Sequence, residues 1–522
     1  MSYIYYGNGT ENIMYRYLEG EYTKLNVKTY RDKVYACWQG KNIGGTMGAP
    51  FEGVREKLKL TGFTTAAGKI IPNDDLDLQL AWLQAAEFEG CKKLTAEKLG
   101  EYWLSLVVPY WAEYGVAKMN MESGLYPSVS GDHANDWKHS NGAWIRTEIW
   151  ATLAPACPDV ALRYAMEDAK VDHGLGEGTY AAAFVAAIES AAFVISDVRK
   201  LIDIGLSKIP ENSRMARTVR LILKAFDDGK TPDETRSMIL EENSDIGDGW
   251  FQAPSNVGFV ILGLLYGKGD FKKSMLYAIN CGDDTDCTGA TIGSIMGIIK
   301  GTAGIPEDWK NHIGDAIVTC SLDVTKGVRY PKSCTELTDR IVRLAPAMLI
   351  DNGVDVTFTE LEQVLVGDQY EKFLGKTDPF VLWQDQPVVR EVVNREPNSF
   401  SVDLYGVTAI VSYPDGADIK PGETKRIRLK FVNNLKSAGT GVKIVDVRLL
   451  TATEGATVNK DKFTVFVRSY SAPHPEWVSD PIDIEVTASE KFEEITEFVF
   501  ELRIRGRYYR ALAPVEFLNQ DR

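Results

Sequence analysis

An all-helical domain followed by an all-β, immunoglobulin-like sandwich is the multidomain architecture predicted for this 522-residue chain, and three observations predict it. From Tyr30 to about Asp378, apolar residues recur three and four apart, the period of one helix face. Small residues crowd the same region: the run 181–187 is mostly alanine, and Gly289, Gly293 and Gly297 stand four apart, so helix backbones can approach closely. From residue 399 onward the period becomes two, that of half-buried strands. The length exceeds one ordinary core, which predicts two domains. Their expected bounds are 1–383 for the helical domain, 384–398 for a linker and 399–522 for the sandwich.

Within the helical part, Leu78, Leu80, Ala81, Leu83, Ala85 and Phe88 mark one amphipathic helix, and 182–194 is a second helical stretch. Pro387, Pro397 and Asn398 punctuate the linker. Beyond it, Ile427, Leu429 and Phe431 interleave with Arg426, Arg428 and Lys430, while Phe498, Phe500, Leu502 and Ile504 interleave with Glu497, Glu501, Arg503 and Arg505. Turn signals at Pro414-Asp415-Gly416 and Pro421-Gly422 separate such runs. About seven strands fit an immunoglobulin-like sandwich. Its residues hold no cluster of catalytic types, so a support or interaction role is expected, with a partner that the sequence does not name.

A formal charge of −15 argues against nucleic-acid backbones and anionic membranes as partners. A small phosphate-bearing substrate stays compatible, because a metal or a helix N-terminus can hold phosphate locally. Cys37, Cys91, Cys157, Cys281, Cys287, Cys320 and Cys334 are scattered and odd in number. They indicate neither a disulfide framework nor a zinc cage, and they point to a reducing, cytoplasmic setting. Residues 1–17 lack the charged and apolar regions of a leader, and no apolar run of about 18 residues occurs. A signal peptide removed beforehand would make a periplasmic or exported protein the alternative.

Three acidic segments stand out. The first, 40–52, is a helix end dissolving into a Gly/Pro loop that presents Glu52; a helix C-cap with a solvated Glu is the plain account. The second, 72–79, opens a helix with Asn73 as its cap and Asp74, Asp75 and Asp77 complementing the macrodipole, although adjacent carboxylates there can also converge on a cation. The third, 280–289, places Asp283, Asp284 and Asp286 within four positions ahead of a Gly-rich helix starting near Thr288. An acidic cap needs one carboxylate, not three. Oxygen ligands of this kind suit Mg²⁺, Mn²⁺ or Ca²⁺ rather than zinc. His133, His139, His173, His312 and His474 form no paired metal motif, and no G-x-S-x-G elbow supports Ser-His-Asp catalysis.

In this order and spacing the three segments resemble the ADP-ribosylglycohydrolase family, whose marks are a G-D-A-L-G-x-P-x-E loop, a T-D-D-T helix start and a late G-x-D-T-D-T loop. The resemblance covers roughly 30–345. It includes a stretch from Gly142 through Arg146, Pro155, Asp168, His173, Gly178 and Tyr180, similar to a bacterial branch that reads roughly I-R-x-E-x-W, then P, A, D-A and H-x-x-x-G-x-Y. It implies that Asn73, Asp74, Asp75, Asp284 and Asp286 hold one or two Mg²⁺ ions, with Mn²⁺ or Ca²⁺ as alternatives. It implies catalytic roles for Glu52 and Asp75, and substrate contacts for Gly142, His173, Gly178 and Tyr180. The implied substrate is a small molecule or an ADP-ribosylated acceptor. The implied reaction passes through an oxocarbenium-like state, with a metal-activated water and Glu52 as general base or proton donor.

Three departures qualify the resemblance: Asn73 replaces the metal-binding Thr, Gly45 replaces the loop Asp, and Cys287 replaces the last Thr of the late loop. An amide oxygen is a conservative ligand, whereas a thiol suits Mg²⁺ poorly. Water fills that position, or one metal binds, or the metal differs. The leading expectation is hydrolysis of an ADP-ribosyl glycosidic bond. The alternatives are a glycosidase of the same fold acting on another N- or O-glycoside, and a degenerate protein that binds ADP-ribose without turnover.

Overall fold

Two helices that touch backbone to backbone organise the N-terminal unit of the computed structural model, which describes residues 22–247, 249–375, 398–404, 406–433, 442–467, 478–492 and 494–519. The chain divides into two units, Met1–Gln384 and Asp385–Arg522. Residues 384–397 of the expected linker lie outside the described residues, as do residues 1–17 and His474.

The described residues of the first unit contain seventeen α-helices. Seven frame the site and are labelled in chain order: α1 (Val27–Gly48), α2 (Asp74–Glu89), α3 (Ala112–Glu122), α4 (Pro158–Asp172), α5 (Glu177–Ala191), α6 (Ala253–Gly267) and α7 (Thr285–Lys300). Asn26 caps α1 by accepting the N–H groups of Lys28 and Thr29 at 3.0 and 2.9 Å. Small residues four apart on α1 then meet small residues four apart on α7, in antiparallel order. A Cβ built on Gly40 would lie 2.1 Å from Gly293 O, one on Gly44 1.8 Å from Gly289 O, and one on Gly297 2.2 Å from Ala36 O. Only residues without a Cβ allow this approach. It sets the C-terminus of α1 against the N-terminus of α7, bringing together two segments more than two hundred residues apart.

Helix α2 corrects an expectation. Every residue from Asp75 to Ala86 is buried, so the helix is enclosed rather than amphipathic, and Phe88, assigned to its apolar face, is 76% exposed. Other helices pack on several of its sides. Asp75, Asp77, Gln79 and Gln84 are therefore buried polar groups that need internal partners. A second difference is a two-stranded parallel sheet formed by β1 (Thr23–Asn26) and β2 (Val356–Thr359). Four residues are too few to show a strand period.

The second unit has ten described strands, where about seven suffice for the expected sandwich. One sheet runs β3 (Ser399–Asp403), β4 (Val407–Ser412), β6 (Thr424–Asn433), β10 (Ile482–Thr487), β8 (Thr457–Val458); the other runs β5 (Asp418–Ile419), β12 (Ala511–Asn519), β11 (Ile495–Ile504), β7 (Lys443–Ala452), β9 (Lys462–Val467). The inward residues of both sheets form one core that includes Ile427, Leu429, Phe431, Phe498, Phe500, Leu502 and Ile504. This is sandwich packing, and the two-residue period of β6 and β11 foretold it. Strands β5 and β8 hold two residues each and have no period to read.

Candidate active site

The close pair α1–α7 delivers two acidic segments to one place. Helix α1 ends at Gly48, a single 3-10 turn follows at Ala49–Phe51, and Glu52 comes next. Thr285 Oγ1 donates to Gly48 O at 2.8 Å. Gly53 N–H donates to Asp283 O at 2.9 Å, and Asp283 N–H to Val54 O at 2.7 Å. The chain on both sides of Glu52 is thus tied to the residues that open α7.

The three carboxylates of that opening separate into two roles. Asp283, at φ +68°, turns its side chain away from the other two, toward the backbone N–H of Phe251 at 3.0 and 3.1 Å and Asn256 Nδ2 at 2.8 Å. It fastens the start of α6 and has its hydrogen bonds inside the fold. Helix α7 begins at Thr285, three residues before the expected Thr288, which puts Asp284 at the N-cap and Asp286 in the first turn. The two still converge. Glu52, Asp284 and Asp286 each offer an oxygen within 4.8 Å of the others, and so do Asp75, Asp286 and the sulfur of Cys287.

Burial makes this cluster costly without a partner. Asp75, Asp284 and Asp286 are at most 5% exposed, and the Oδ1 atom of each is buried with no hydrogen bond. Asn141 Nδ2 donates to Asp284 Oδ2 at 2.6 Å, and the Tyr114 hydroxyl to Asp74 Oδ2 at 2.7 Å. Burial foremost pushes the carboxyls of Asp75, Asp284 and Asp286 upward. The charge of Asp286, then burial and Asp74, push Glu52 up to about 7. The N-termini of α2 and α7 both meet here, and their partial positive charge offsets only part of the repulsion. Buried oxygens without hydrogen bonds, mutual repulsion and a hard donor set form a cluster that could hold a cation.

Asn73 holds the N-cap position of α2, yet its side chain makes no capping hydrogen bond. Its Nδ2 lies 2.0 Å from where a Cβ on Gly45 would be. Two departures from the family pattern are therefore one: the glycine at 45 makes room for the amide at 73.

An open cavity of about 560 Å³ fronts the cluster. Glu52, Asn73, Asp74, Asp284 and Asp286 line it, and the aromatic side chains of Trp111, Trp137 and Phe251 line it as well. Asp75 does not reach the cavity; it is fully buried, with Cys287 Sγ 3.8 Å from its Oδ2.

Of the four residues expected to touch substrate, Gly142 lines the cavity. Its N–H donates to Glu113 Oε1 at 3.1 Å, and a Cβ there would lie 2.2 Å from the same oxygen. His173, Gly178 and Tyr180 are not among the lining residues. His173 is fully buried, with Nδ1 2.8 Å from Asp172 Oδ1 and Nε2 3.3 Å from Ser140 Oγ. Gly178 on α5 leaves space for the imidazole, since a Cβ there would lie 2.2 Å from His173 Cδ2. Tyr180 is half-buried on the same helix. Ser140 does line the cavity, so His173 supports its wall from behind.

Sequence reasoning missed several supporting groups. Lys41 Nζ donates to Ile145 O and Glu148 Oε1, both at 2.7 Å, and stands 3.9 Å from Asp75 Oδ1, with all three side chains buried. Gln79 Nε2 donates to Glu148 Oε2 at 2.8 Å. Lys41 and Glu148 lay inside stretches that carried the resemblance, so a charged residue within a buried motif was the available signal. Tyr114, Asn141 and Trp111 had none.

A family model described as ADP-ribosylglycohydrolase matches residues 26–346. A solved structure named "ADP-ribosylglycohydrolase-related protein complex" is 19% identical, covering 62% of this chain and 98% of that chain, with a TM-score of 0.41. No curated protein matches. With its family match spanning well over half of the 522 residues, over the region that carries the acidic cluster, the chain belongs to the ADP-ribosylglycohydrolase family.

Proposed function

We propose that this chain hydrolyses the bond between the anomeric carbon of an ADP-ribosyl, or another ribosyl, group and its acceptor, with the help of a divalent metal. The family is of hydrolase type. The finer reading is carried by one observation: Glu52, Asp284 and Asp286 meet at an open cavity, and Asp284 and Asp286 keep buried oxygens there without partners. Asn73, Asp74, Asp75, Asp284 and Asp286 would hold the ion, and the oxygens among them fit Mg²⁺ or Mn²⁺. When bound, such an ion neutralises the cluster, orients a vicinal diol and acidifies water.

The other steps fall to the chain. Glu52 is exposed at the cavity beside Asp284 and Asp286, where its carboxyl can take a proton from an attacking water or give one to the leaving group. Carboxylate walls favour the positive charge that develops on the sugar ring as the glycosidic bond breaks. Tyr114 and Asn141 fix Asp74 and Asp284 by hydrogen bonds, which holds the acids in place. Trp111, Trp137 and Phe251 offer flat apolar surface against which a planar ring can stack while water is excluded.

The test is turnover of ADP-ribosyl-arginine, ADP-ribosyl-serine, O-acetyl-ADP-ribose and simple furanosides by the full chain with added divalent metal. Asp284→Ala and Asp75→Ala should abolish hydrolysis while the far-ultraviolet circular dichroism stays that of the parent. Undiminished hydrolysis in both variants would sink the reading. Product from furanosides alone would shift the substrate to a simpler glycoside.

A further inference from the structure

The late acidic loop ends in a thiol, and the thiol points into the cluster. Cys287 lies in the first turn of α7, is 6% exposed and lines the cavity. Its sulfur stands 3.8 Å from Asp75 Oδ2. That sulfur and one oxygen each from Asp75 and Asp286 lie within 4.8 Å of one another. Independently of this proximity, Asp286 Oδ1 is buried without a hydrogen-bond partner in a residue 4% exposed, while Asp75 Oδ1 makes no hydrogen bond and faces Lys41 Nζ at 3.9 Å. The donor set is therefore two carboxylates and a sulfur, converging from two helix N-termini.

Mg²⁺ takes oxygen ligands in near-octahedral geometry and binds thiols poorly, whereas zinc-like ions accept carboxylate and thiolate together. Tetrahedral zinc, with sulfur at about 2.3 Å and oxygen at about 2.0 Å, sets the two ligand atoms about 3.5 Å apart. The Cys287 thiol donates to Asp75 Oδ2 at 3.8 Å, about 0.3 Å beyond that span, so a metal–sulfur bond would replace an S–H···O hydrogen bond with little movement.

We propose that Cys287, Asp75 and Asp286 together ligate a borderline-soft divalent cation such as Zn²⁺ or Co²⁺ in preference to Mg²⁺. The assignment deepens the function proposed above and rests on it for the place of the ion, not for the reaction. On binding, the S–H bond is replaced by a metal–sulfur bond and its proton passes to solvent.

The test uses the full chain, stripped of metal and titrated with Co²⁺. Thiolate-to-cobalt charge-transfer absorption should appear in the near ultraviolet, be displaced by Zn²⁺ and survive a large excess of Mg²⁺. Cys287→Thr, and Cys287→Ser as a second variant, should lose the band and bind Zn²⁺ at least about tenfold more weakly, the loss seen even when groups that merely support ligands are removed. Cys320 lines the same cavity, so Cys320→Ser should keep the band. No band in the parent, a band that persists in the Cys287 variants, or displacement of Co²⁺ by comparable Mg²⁺ overturns the proposal. Scoring hydrolysis in the same samples separates the two readings. A cobalt-loaded protein that shows the band and cleaves no glycoside overturns the hydrolase, while turnover with Mg²⁺ and no cobalt band overturns this assignment alone.

Discussion

Replacing Gly44 by alanine asks whether the site depends on the α1–α7 contact. The new Cβ would lie 1.8 Å from Gly289 O and 2.1 Å from its carbonyl carbon, against 3.4 Å or more for an ordinary contact. Both offending atoms are backbone, so no side chain can swing away and the helices must part by roughly the missing 1.6 Å. Overpacking of this kind costs about 1–3 kcal/mol and occasionally more; with backbone against backbone, the upper end is expected. The same displacement carries Glu52, just beyond α1, away from Asp284 and Asp286 at the start of α7. Misplacement by about 1 Å costs on the order of 10²-fold in rate. Urea unfolding, a metal titration and turnover measure the three effects. Gly62→Ala is the control, because its Cβ meets nothing within 4 Å, and it should be neutral or stabilising by about 0.4–1 kcal/mol. If Gly44→Ala matches Gly62→Ala in stability and metal affinity, the packing argument is wrong.

Three further outcomes are expected. Lys41→Met strands the buried carboxylate of Glu148, to which Lys41 donates at 2.7 Å, and should cost about 3–5 kcal/mol in denaturant unfolding; a loss under about 1 kcal/mol would contradict the pairing. The metal-free protein should also respond to pH through Glu52. Its folded carboxyl titrates at about 7, above the unfolded value near 4, so the folded state holds a proton that the unfolded chain has released. Stability relative to Glu52→Gln should therefore fall as pH rises from about 4 to 7 and level off above. Thermal unfolding in chelator checks this. A difference that grows in favour of the parent across that range would refute it, and saturating divalent metal should raise the parent's stability by about 2.7 kcal/mol at a hundredfold excess over Kd.

Much of the architecture was legible in local pattern. The alternation at 427–431 and 498–504 reads directly as buried strand faces, because a two-residue period survives in any register. The glycines at 289, 293 and 297 announced a close helix contact without naming the partner. Their partners on α1, Gly40 and Gly44, sat within the first acidic segment.

Among the candidate site residues, Asp284 and Asp286 were findable as carboxylates beyond what a helix cap needs, Glu52 and Asp74 had plain structural accounts and entered through the resemblance, and all four line one cavity. Asp283 falls at the variable position of the late-loop motif and was not named as a ligand; with a positive φ its side chain bonds Phe251 and Asn256 instead. Asp75 was named with the others, but enclosure of α2 on all sides set it behind the cavity, beside Lys41 and Cys287.

The sequence by itself determined residue types and periods: acids where a fold needs none, glycines spaced for contact, alternating strands, and a thiol where oxygen is usual. Tertiary structure alone decided which groups share a place. A hydrogen bond such as Asn141 to Asp284, or the space that Gly45 leaves for Asn73, joins residues tens to hundreds of positions apart. No local period encodes such a meeting, because it arises from how whole helices pack.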